Sequence, residues 1–101
     1  MEKTIEKSHQ IERNLVEIIN ERSSVKGFKK TEFAALVWSD TDPKTAYAKW
    51  NAIRGKVSRT GKPQSLLVSD AQRMAEVLDE DLAYLIFLAN AKFRAETEKP
   101  G

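Results

Sequence analysis

With 101 residues the chain can build one hydrophobic core but not two. Its 41% hydrophobic and 32% charged residues suit a globular protein in water, and the lack of cysteine excludes disulfides, thiolate catalysis and cysteine-ligated zinc. Net charge is only +2, and no apolar run approaches the roughly 20 residues of a membrane span, so no membrane partner and a cytoplasmic location are expected.

There is no repeat, and no segment alternates apolar and polar residues for long, which points to an all-α chain. The expectation is one domain over residues 1–101 with five helices, residues 1–7 and 97–101 being flexible ends. The polar, mixed-charge start MEKTIEKSHQIERN does not read as a secretory leader. The first helix is predicted from about Ser8 to Arg22, because Ile11, Leu15, Ile18 and Ile19 share a face, with Glu12, Glu17 and Glu21 turned away from much of it. Ser23, Ser24 and Gly27 break it. A second helix follows over Lys30–Val37, with Phe33, Leu36 and Val37 apolar.

After the break SDTD a third helix is predicted over Pro43–Gly55. Asp42 can cap its free N–H groups, and Pro43 suits the first turn, where its missing N–H costs nothing. Ala46, Trp50 and Ile53 recur at helical spacing and must pack inward. At about 100° per residue, Lys44, Ala48 and Asn51 then point most directly outward, with Thr45, Tyr47 and Ala52 beside them and Arg54 nearer the boundary. Gly55 and Gly61 bracket a basic loop, KVSRTGKP. A fourth helix is expected from Ser69 and Asp70 through Leu78, with Ala71, Met74, Ala75 and Leu78 inward. The acidic trio Asp79, Glu80 and Asp81 then supplies a cap and favourable charge to a fifth helix over about Leu82–Glu96.

Two short helices across a turn, the second faced with donors and cations, form the pattern by which small proteins set a helix into a DNA groove. The charge map agrees. Residues 26–62 carry nine cations against three carboxylates, a local +6, whereas residues 1–25 and 63–101 sum to −1 and −3. A solvated lysine-rich surface has the same composition. Lys44, Thr45, Tyr47, Ala48 and Asn51 are the candidate base readers, Asn51 toward an adenine edge and Lys44 toward guanine or phosphate. Lys30, Lys49, Arg54, Lys56, Arg59 and Lys62 are the candidate phosphate contacts, which set register rather than sequence preference.

The fifth helix is apolar around most of its circumference. Leu82, Leu85, Ile86, Ala89 and Phe93 make one stripe, and Tyr84, Phe87, Leu88 and Ala91 make another. The first can face the core; the second is a candidate surface for a homodimer or another protein, unless the first helix wraps it.

The run from Phe33 through Phe93 resembles the phage-repressor-like helix-turn-helix domains of bacterial and phage regulators. The similarity lies in the FAAL helix before the turn, in the ending IRGK followed by KPQSL, and in SDAQRMAEVLDEDLAYLIFL, which is similar to the family's fourth and fifth helices. Two features depart from that pattern: the turn VWSDTDP is long and lacks the usual glycine, and Trp38 and Trp50 are bulkier than the residues common there. The resemblance implies a compact five-helix fold of the lambda-repressor-like type and a transcriptional regulator that reads double-stranded DNA with its second and third helices as the reading unit; with the second apolar stripe of the fifth helix, the expectation is a homodimer that sets its third helix in the major groove.

No enzyme is expected. His9, the one histidine, has no apparent partner for acid–base or metal work, and no phosphate-cradling glycine motif is present. No cofactor, metal or small-molecule substrate is therefore predicted. The alternative is an antitoxin-like or phage accessory module that uses the same fold chiefly to bind a protein partner.

Overall fold

The structure, a computed structural model, describes residues 2–55 and 63–97. Five helices follow one another: α1 (Glu2–Val25), α2 (Lys30–Val37), α3 (Pro43–Ile53), α4 (Val68–Leu78) and α5 (Leu82–Thr97). No strand occurs among the described residues, so the all-α expectation and the helix count both hold. Two pairs pack most closely, α1 along α5 and α2 against α3, and α4 bridges them.

Local chemistry explains the boundaries. Past Ser23 the α1 backbone closes through Gly27, whose φ of 88° lies in the region glycine tolerates best, and Phe28 N–H donates back to the Ser23 carbonyl at 3.0 Å. The Glu32 carboxylate reaches back to the N–H of Lys29 at 3.0 Å and starts α2. Asp79 ends α4 in the left-handed conformation, φ 57° and ψ 45°, which a short polar side chain adopts more readily than a bulky one.

The core takes residues from all five helices. Ile19, Phe33, Trp50, Ile53, Met74, Leu78 and Leu85 are fully buried, and each large apolar side chain removed from water contributes roughly 1.5–3 kcal/mol. The Phe33 ring tilts against Trp50 at a centroid distance of 5.5 Å and against Phe28 at 6.0 Å. Such tilted aromatic pairs stabilise beyond their buried area.

Several boundaries differ from the sequence reading. α1 begins at Glu2 rather than Ser8, α3 ends at Ile53 rather than Gly55, and α4 begins one residue before Ser69. Glu12 does not face away as expected. It is half-buried, and its carboxylate accepts the N–H of Leu66 at 3.0 Å. The acidic trio divides its work: Asp79 closes α4, and Glu80 takes the Arg22 Nε–H at 2.6 and 2.7 Å, tying the end of α1 to the α4–α5 turn.

Candidate nucleic-acid interface

The turn between α2 and α3 is held from behind by α4. Trp38 ends α2 and is 2% exposed, and its indole Nε1–H donates to Asp70 Oδ1 at 3.0 Å. Asp70 sits in the first turn of α4 and is 4% exposed. On α3, Lys49 places its ammonium 3.9 Å from the same oxygen and 5.2 Å from the centre of the Trp38 ring. Three helices thus meet on one buried carboxylate. Its second oxygen, Oδ2, has no hydrogen-bond partner among the described residues. A buried carboxylate is costly unless paired, so the indole and ammonium contacts fix the turn against α4. Asp40, within the turn, adds a surface ion pair to Arg73 at 3.3 Å.

Past the turn, Asp42 caps α3. Its Oδ1 accepts the N–H of Thr45 at 3.0 Å and its Oδ2 accepts the Thr45 hydroxyl at 2.7 Å. The Thr45 hydroxyl, followed by the Thr45 N–H, holds the Asp42 carboxyl below its ordinary pKa, because both stabilise the charged form. Thr45 is therefore spent as a cap partner, and its hydroxyl proton is engaged.

Ala46, Trp50 and Ile53 are completely buried, as their spacing requires. Lys44 and Ala48 are exposed and Asn51 is half-buried. No carboxylate lies within ion-pairing distance of Lys44 or Lys30 among the described residues. Lys30, half-buried, opens α2. Tyr47 is half-buried and packs on the core. Arg54 lies back over Trp50, 5.5 Å from the ring centre, and its Nη2 donates to Asn51 Oδ1. Burial lowers the Arg54 pKa, and the Tyr47 hydroxyl acts in the opposite direction. Of the candidate phosphate contacts, Lys49 is thus turned toward Asp70, and Arg54 toward its own helix.

The C-terminal end of α3 is clamped by α1. Arg13 donates to the carbonyls of Ile53 at 2.5 Å and Gln64 at 3.2 Å, while its neighbour Glu12 accepts from Leu66. Gln64 N–H also returns to the Ala52 carbonyl at 2.9 Å. Gly55 packs beside Pro63 with room for a Cβ at an ordinary 3.4 Å from the proline ring, so it is its φ of 82° that favours glycine there. Lys56, Arg59 and Lys62 lie outside the described residues.

The candidate partner surface on α5 is only partly open. Tyr84 and Phe87 are 48% and 60% exposed with their rings stacked at 6.5 Å, whereas Leu88 and Ala91 are half-buried. Ile86, expected inward, is 39% exposed. It borders an apolar groove of about 240 Å³ with Ile11, Leu66, Leu67, Val68 and Leu82. Sequence reasoning missed that groove, the Trp38–Asp70 bond and the Glu12–Arg13 clamp. All three join residues far apart in the chain, which helical periodicity does not connect.

Among the described residues, no group of three or more histidine, aspartate or glutamate side chains is placed to hold a metal ion, and no helix is long and apolar enough to cross a membrane. Comparison with protein-family models, with curated proteins and with solved structures gives no match to this chain.

Proposed function

We propose that the chain is a sequence-specific DNA-binding transcriptional regulator of the phage-repressor-like helix-turn-helix type, of phage or bacterial kind, which sets α3 into the major groove as a homodimer. One observation supports this above the others. α3 buries Ala46, Trp50 and Ile53 completely, and so presents Lys44, Ala48 and the free edge of Asn51 on one outward face. Lys44 supplies a cation with no carboxylate partner among the described residues, Ala48 lets the helix approach closely, and Asn51 supplies a polar edge. The local +6 over residues 26–62 adds the attraction to phosphate that such docking needs.

The test is a fluorescence titration of labelled genomic fragments and random duplexes at two salt concentrations. The expected result is tight binding to a few fragments that weakens steeply with salt, with Lys44→Ala and Asn51→Ala reducing it. Absence of binding at low salt would sink the reading.

A second reading, an antitoxin-like or phage accessory module that binds a protein, draws on the exposed Tyr84–Phe87 ring pair. It predicts sensitivity at Tyr84, Phe87 or Leu88 and indifference at Lys44 and Asn51.

A further inference from the structure

Arg54 closes α3 without extending into solvent. Its guanidinium lies over the Trp50 ring, and Nη2 donates to Oδ1 of Asn51 one turn back. Arg54 also lines a cleft with Arg13, Val16, Glu17 and Asn20 of α1, which puts the guanidinium on the α1 side of α3. A guanidinium has donors only, so it meets the Asn51 amide through the oxygen and never through the nitrogen. That contact removes the twofold ambiguity of an amide. Oδ1 faces Arg54, and the two hydrogens of Nδ2 meet no acceptor among the described residues.

We infer that Asn51 reads a base edge as a donor only, and that Arg54 is the positioning residue that makes it so. The inference rests on the DNA-binding reading above. The usual match of asparagine with adenine needs both ends of the amide, the oxygen accepting from N6 and the nitrogen donating to N7. The oxygen has two lone pairs, and on this inference Arg54 occupies the one that adenine N6 would use, so that match is lost. Two hydrogens facing a base edge are best satisfied by the O6 and N7 acceptors of guanine, and worst by the N4 donor of cytosine. The adenine edge expected from the sequence is thereby replaced by guanine. An amide held in place before binding also has less side-chain freedom to lose when it docks.

The test is selection of preferred sites from randomised duplexes by the full chain, with a thermal melt of each variant. Wild type is expected to favour guanine by at least about fivefold at one position of the half-site, the lower end of what one good base contact discriminates. Asn51→Ala loses that preference at that position alone. Arg54→Met keeps an unbranched chain over Trp50 but has no donor, so the amide is released and the same position moves to adenine. Asn51→Asp is the second variant, independent of how Arg54→Met folds. It keeps the Arg54 contact as an ion pair and offers only acceptors, so the position moves to cytosine. A wild-type adenine preference at the Asn51-dependent position overturns the inference. So does an Arg54→Met variant that weakens every duplex equally with an unchanged profile, the mark of a phosphate contact. Wild-type protein with no sequence preference anywhere overturns the DNA-reading function itself, which separates the two failures.

Discussion

Trp38→Phe removes the one hydrogen bond that Asp70 receives from the indole and leaves a carboxylate that is 4% exposed. Orphaning a hydrogen-bonded buried charge costs about 1.5–3 kcal/mol. The smaller ring also leaves a gap beside a residue only 2% exposed, worth roughly another 1 kcal/mol. Lys49 offsets part of this, but at 3.9 Å with its side chain 37% exposed it is screened by solvent. The net expectation is a loss of about 2–3 kcal/mol. At roughly 4–8 °C per kcal/mol for a domain near this size, the midpoint should fall by about 10–20 °C. Thermal and urea unfolding followed by circular dichroism measure it. A second arm separates the charge from the packing. In Trp38→Phe/Asp70→Leu the indole donor and the buried carboxylate are both gone and the partly exposed Lys49 ammonium can turn to solvent, so at least about 1 kcal/mol should return, because removing both members of a buried pair is far cheaper than removing one. A Trp38→Phe midpoint within about 2 °C of wild type would refute the reasoning outright. A double variant that melts no higher than the single one would assign the whole loss to packing.

The Asp42 carboxyl has a folded pKa below its ordinary 3.8, so the cap stabilises the protein above that value and is lost as pH falls through and below it; Asp42→Asn should flatten the acid limb of a melting-temperature profile, and an unchanged limb would count against the cap. Arg13→Ala releases the carbonyls of Ile53 and Gln64 and should cost about 1.5–3 kcal/mol, as for other hydrogen bonds to a charged group. Hydrogen exchange at the amides of Gln64 and Leu66 should quicken with it, and unchanged exchange would show that the clamp does not hold this segment. Phe87→Glu alters a ring that is 60% exposed, so folding stability should stay within about 0.5 kcal/mol. If the α5 face pairs two copies, sedimentation should show this variant as a monomer where wild type is a dimer; equal masses would clear the face of that role.

What the sequence made legible was the part governed by helical period and capping. The sequence predicts α2 over Lys30–Val37, where it is found. Asp42 and Pro43 open α3, and the Ala46, Trp50, Ile53 stripe is buried. The start of α1 was not legible, because Ile5 is the only large apolar residue between Glu2 and Gln10, and one such residue sets no stripe. That turn lies beside the end of α5, where the Lys7 ammonium sits 5.7 Å from the centre of the Phe93 ring. α5 misled in the other direction. Its all-round apolar surface pointed to two covered sides, yet in the single chain only Leu85 and Ala89 are fully buried. The candidate site was legible in direction but not in bonding. The period placed Asn51 and Arg54 on neighbouring flanks of α3, but the choice of Asn51 Oδ1 as the guanidinium's acceptor comes from three-dimensional packing.

The long turn without glycine follows from the same packing. No residue from Trp38 to Asp42 has a positive φ, so the backbone there has no need of glycine. Thr41 N–H returns to the Trp38 carbonyl at 3.1 Å, an ordinary i to i+3 closure, and Asp42 at once begins the next helix. Such a turn is looser than one pinned by tight backbone geometry, and the side chains supply the fixing. Of the two contacts to α4, Asp40–Arg73 joins side chains 70% and 46% exposed and contributes about 0–1 kcal/mol. The buried Trp38–Asp70 bond is therefore the stronger constraint, and it ties the end of α2 to the first turn of α4. The bulk at position 38 and the length of the turn are thus one solution, which makes the orientation of α3 depend on α4 as well as on α2.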